Sequence, residues 1–108
     1  MSPPLFIQFE ERLKTVMRDA EKQSGVSFSV MRNLVRAEGG INAVKRLLER
    51  PKHFSTGFKT LYNRDLLNLT VESVVLEFET SQLFTASELS EAKWRLENAH
   101  LATDEDKK

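Results

Sequence analysis

Apolar residues recur along this chain at steps of three and four, and short punctuating motifs separate the runs. Pro3 and Pro4 suit the first turn of a helix, where a missing N–H costs nothing. From Leu5 onward, Phe9, Leu13, Val16, Met17 and Ala20 form one apolar stripe. Glu10 and Glu11 lie early in this run and Lys22 late, as the helix dipole favours. Ser24-Gly25 predicts its end, since glycine is the usual residue just past a helix. Ser27 is the expected N-cap of a second helix, with Phe28, Met31, Leu34 and Val35 inward. Gly39-Gly40 breaks that helix, and one of the two glycines should hold a backbone geometry costly to other residues. A third helix places Ile41, Val44, Leu47 and Leu48 on one side and Lys45, Arg46, Glu49 and Arg50 on the other. Pro51 stops it, because the residue before a proline is driven out of helical geometry.

Residues 52–57 read as a loop leading into Phe58, Leu61 and Tyr62. Thr70 is a good N-cap for a helix over Val71 to Phe78, with Glu72 in its first turn. Val71, Val74 and Val75 keep helical spacing, although β-branched residues would also suit a strand. Thr85-Ala86-Ser87-Glu88 is a capping box. It opens a last helix with Leu89, Ala92, Leu96 and Ala99 inward and mostly charged residues outward. No window alternates between apolar and polar residues with hairpin turn pairs, and no internal repeat is visible. The expected fold is all-α, a compact single domain of five or six short helices over residues 1–102, followed by a disordered charged tail, 103–108.

Length and composition narrow the classes. A chain of 108 residues can bury roughly 60–70% of its unfolded surface, enough for one core without staples. It has no cysteine, which removes disulfides, thiolate metal sites and cysteine nucleophiles together. No apolar run approaches the ~18–20 residues of a membrane span. The N-terminus lacks the pattern of a signal peptide. A soluble, cytoplasmic protein that does not engage membranes is the expectation. The formal net charge is zero, but it is unevenly spread. Residues 1–40 carry six basic and five acidic side chains, residues 41–64 six basic and one acidic, and residues 65–108 four basic and ten acidic. The central block can meet phosphate or an acidic partner, or be offset within the fold by the acidic C-terminal third.

Candidate chemistry is sparse. His53 and His100 are the only histidines and lie outside any metal-ligand spacing, so no metal or cofactor is expected. Glu72 and Glu88 read as first-turn residues that satisfy free N–H groups. Ser55 and Ser87 lack histidine–acid partners at useful spacing. Gly39-Gly40 precedes a helix N-terminus but lacks the later Gly-Lys-Ser/Thr of a phosphate-binding loop, so a helix break is the simpler reading. No catalytic set can be assembled, and the chain is not expected to be an enzyme. The basic residues Lys45, Arg46, Arg50, Lys52, Lys59 and Arg64 interleave with Phe54, Phe58 and Tyr62. Such a pattern can track a nucleic-acid backbone and stack bases, or it can be core aromatics among solvated lysines. Trp94 falls off the last helix's apolar stripe. It is either a partly exposed protein contact or a cover lying flat over Leu5 or Phe6.

The order of anchors supports a family statement. Gly39-Gly40, Ala43 to Leu48, Pro51, Gly57-Phe58, Leu69 to Glu72 and Leu83 to Thr85 follow in sequence. Over roughly residues 8–100 the chain resembles a small helical domain widespread in bacteria. That domain occurs alone or at the C-terminus of longer proteins, including restriction-type HNH nucleases. Tyr62 stands where that family usually has tryptophan, Asn68 where it has aspartate, and Arg64 and Leu66 fall where it reads glycine-arginine. The resemblance implies a protein-interaction or regulatory module, an accessory of bacterial DNA defence whose partner is another protein. Nucleic-acid binding through segment 45–64 is the alternative.

Overall fold

The computed structural model describes residues 3–102. The fold is all-helical: α1 (Leu5–Ser24), α2 (Ser29–Glu38), α3 (Gly40–Leu48), α4 (Thr56–Asn63), a 3₁₀ turn (Leu67–Leu69), α5 (Val71–Glu77) and α6 (Ala86–Glu97). No described residue is in a strand. The anticipated charged tail, 103–108, lies outside the described residues.

Most boundaries follow from local chemistry. Gly25 closes α1 in the left-handed region, at φ 75°. Gly39, at φ 86°, ends α2 and opens α3 without an intervening loop. The Ser55 hydroxyl accepts from Phe58 N at 3.1 Å to start α4. Thr70 does the same for α5 through Ser73 N at 3.2 Å. The capping box at α6 is complete: Thr85 Oγ1 accepts from Glu88 N, and the Glu88 carboxylate accepts from Thr85 N. The valines of α5 are helical because that cap fixes the start and both Val74 and Val75 are fully buried on one face.

The start of α2 departs from expectation. Ser27 does not cap it; the helix begins at Ser29, and the Ser27 hydroxyl accepts instead from the Arg32 guanidinium at 3.4 Å. No side chain caps the first turn. Glu21, reaching from α1, accepts from Phe28 N at 2.6 Å and fixes the residue that precedes the helix.

Helix α1 runs through the middle of the packing, against α3, α4, α5 and the 3₁₀ turn. Phe9 sits between Phe78 and Phe84 with edge contacts of 5.2 and 5.1 Å. Leu13, Val44, Val74 and Ala92 complete the main core around it. A second cluster joins Phe54 and Phe58 to Ala99 and Ala102. Full burial of side chains such as Phe9 or Leu13 contributes about 1.5–3 kcal/mol each. Leu48 enters the main core as expected, whereas Leu47, also expected there, is only half-buried. Arg95, expected outward on α6, is instead completely buried. Among the described residues, no helix is long and apolar enough to cross a membrane.

Candidate functional site: an apolar groove beside a buried ionic hub

Three residues expected inward on α2, Phe28, Met31 and Leu34, are half-buried. With Leu47 they form the wall of an open groove between the C-terminal half of α1, α2, α4 and the start of α5. Its volume is about 430 Å³, and Met17, Phe58 and Leu61 are among its buried lining. Val30 stands at the rim with 83% of its surface exposed. These apolar stripes are wider than the core that covers them. Of the hydroxyls at the margin, Ser55 and Thr70 are engaged as the caps of α4 and α5. The groove can therefore hold an apolar group and exclude water, but it presents little to activate a reactant.

Beneath one end of it lies Glu72, 1% exposed, paired with Arg95, which has no exposure at all. Arg95 Nη1 donates to Glu72 Oε2 at 2.9 Å and Nε to Glu91 Oε2 at 2.7 Å. Its Nη2 donates to the carbonyls of Leu47 at 3.1 Å and Arg50 at 2.9 Å, at the C-terminal end of α3. A single guanidinium thus joins α3, α5 and α6. Burial pushes the Glu72 carboxyl above the ordinary carboxylate range, against the opposing pull of the Arg95 hydrogen bond and charge. Glu72 is accordingly a buried ion-pair partner rather than a simple first-turn residue. Among the described residues no buried side-chain N or O lacks a hydrogen-bond partner.

The sequence offered one sign of this hub. Arg95 falls three residues after Ala92 and four before Ala99, on the buried stripe, and Glu91 precedes it by one helical turn. Stripe position outweighed residue type because four acceptors converge on it. Nothing in the sequence pairs residue 72 with residue 95.

Two of the basic candidates are held by carboxylates within the fold. Lys45 turns to α6, where its ammonium meets Glu88 at 2.7 Å and lies 5.3 Å from the Phe84 ring centroid. Arg46 turns to α2 and meets Glu38 at 3.1 Å. Arg50 and Arg64 are exposed, and Lys59 on α4 is half-buried and engaged. Phe54 and Phe58 are buried, so their faces do not open to a base, and Tyr62 is half-buried. Lys52 also meets an aromatic, its ammonium 5.8 Å from the Trp94 ring centroid. Trp94 is half-buried, but against Phe54 at 5.6 Å rather than over Leu5 or Phe6.

Glu88 combines two roles. Burial alone would raise its pKa, but the Lys45 and Thr85 hydrogen bonds and the Lys45 charge outweigh it and hold the carboxyl below the usual range. Among the described residues, no group of three or more His, Asp or Glu is placed to hold a metal ion. No protein-family model, curated protein or solved structure matches the chain.

Proposed function

We propose that the chain is a non-catalytic protein-interaction module that receives an apolar segment of a partner protein in the groove between α1, α2 and α4. On the resemblance of its central anchors, it would be an accessory of bacterial DNA defence. The observation that carries the reading is the groove itself. Phe28, Met31, Leu34 and Leu47 converge on about 430 Å³ of open apolar space, within the range of binding clefts. Ser55 and Thr70 are tied into caps and Glu72 into the hub, and the wall is mostly apolar, so the available free energy is chiefly hydrophobic. The nucleic-acid alternative is less well supported, because Lys45 and Arg46 are held by Glu88 and Glu38.

Site-directed photocrosslinking in the host cell tests this. A benzophenone side chain at Val30 should give one discrete adduct with another protein that persists at high salt. The same probe at Lys93, an exposed position on α6, should give none. Equal labelling from both positions, or none from Val30, would refute the groove reading.

A further inference from the structure

On the opposite flank of α2 a second cleft, of about 560 Å³, runs between α1 and α2. Its walls carry Lys14, Arg18, Arg32 and Arg36 against Glu10 and Glu21. Two of the cations are answered: Arg32 meets Glu21 at 3.0 Å, and Lys14 approaches Glu10 at 3.9 Å. Glu10 is itself occupied, its Oε2 accepting from Gly40 N at 2.8 Å, so the start of α3 already holds a carboxylate. Arg18 and Arg36 are exposed and have no ion pair or hydrogen bond among the described residues. The walls thus carry four cations and two anions, an excess of two positive charges, and both belong to guanidinium groups. Met17 and Val35 form an apolar floor beneath them.

We infer that this α1–α2 cleft binds a phosphoryl dianion through Arg18 and Arg36. The charge excess matches the charge of about −1.5 to −2 on a phosphate monoester near neutral pH, whereas a nucleic-acid phosphodiester carries one. A guanidinium fork takes phosphate oxygens in pairs and stays charged at any physiological pH. The dry floor removes some competing water from the ligand side. The phosphoryl group belongs either to a free phosphate ester or to a phosphorylated residue of a partner, and the chemistry at the two arginines is common to both. This site is independent of the apolar groove and stands or falls separately.

NMR titration of the intact chain tests it, following backbone amides and arginine Nε–H signals with inorganic phosphate, a phosphoserine peptide and a short single-stranded DNA as probes. Phosphate should give saturating shifts confined to residues 14–18 and 32–39. The Arg18→Gln/Arg36→Gln double variant should weaken binding at least tenfold, while Lys93→Gln changes it less than twofold. The charge-retaining Arg18→Lys/Arg36→Lys variant should fall between, since it keeps the charge and loses the fork. Melting curves of the variants confirm that each is folded. Tighter binding of the peptide than of phosphate assigns a protein-borne source; equal binding assigns a free one. Non-saturating shifts spread over the surface, equal weakening by Lys93→Gln, or binding of DNA in preference to phosphate would each overturn the site.

Discussion

Arg95 is the residue on which most depends. Removing a buried charge leaves its partner unpaired, and such truncations cost about 3–5 kcal/mol. Arg95→Ala should therefore lose about that much in urea denaturation, because Glu72 and the carbonyls of Leu47 and Arg50 lose their donor together. Replacing the pair, as Glu72→Leu with Arg95→Met, should recover only the part due to the unpaired Glu72 charge, since the Leu47 and Arg50 carbonyls stay without their donor. Gly40 is constrained differently. A Cβ there would lie 2.9 Å from Glu10 Cγ and 3.4 Å from Leu13 Cδ2. Glu10 cannot simply swing away, because it holds the Gly40 amide. Gly40→Ala should cost about 1–3 kcal/mol by overpacking. Glu88 gives a pH signature. Its pKa is lowered on folding, so its contribution is full above the unfolded value of about 4.3 and fades as pH falls through the lower folded value. The stability gap between wild type and Glu88→Gln should accordingly narrow in acid, as urea midpoints measured from pH 7 to pH 3 will show.

At the scale of helices, the caps are the clearest local determinants. Thr85→Ala should destabilise by about 0.5–2 kcal/mol in thermal or chemical denaturation. Neighbouring leucines on α3 should separate sharply: Leu48→Ala is expected to cost about 2–5 kcal/mol and Leu47→Ala clearly less, because Leu47 already faces the open groove. This split shows where sequence reasoning reaches and where it stops. Caps, glycine breaks and apolar spacing are interactions within a few residues, so α1, α3, α5 and α6 were legible from Gly25, Gly39, Thr70 and Thr85. The start of α2 was not, because no side chain caps it and Phe28 N, just before it, is held by Glu21 from α1. The groove was half-legible: Phe28, Met31 and Leu34 announce an apolar face, and only tertiary packing shows that no described residue covers it. Of the hub only the Glu91–Arg95 step was legible, since its other contacts, at separations of 23 to 48 residues, leave no local spacing.

For the molecule as a whole, the charge asymmetry along the chain largely closes on itself. Lys45 finds Glu88 and Arg12 finds Glu77, so one central and one N-terminal cation meet the acidic C-terminal third, and the Lys52 backbone amide adds a hydrogen bond to Glu91. The pair of Arg12 and Glu77 is exposed, and its hydrogen bond and charge hold the guanidinium pKa above its ordinary value. With a formal net charge of zero, the protein should not retard duplex DNA at about 100 mM salt, where nonspecific binding relies on displaced counterions. The guanidinium at position 95 has one more consequence, for how the structure comes apart. Because the end of α3, α5 and α6 all place acceptors on it, none of the three can detach without breaking a hydrogen bond to that buried group. Native-state hydrogen exchange should therefore find their slowest amides opening in a single event near the global unfolding free energy. The α1–α2 junction, tied by Glu21 to Phe28 and Arg32, would open earlier as a separate unit.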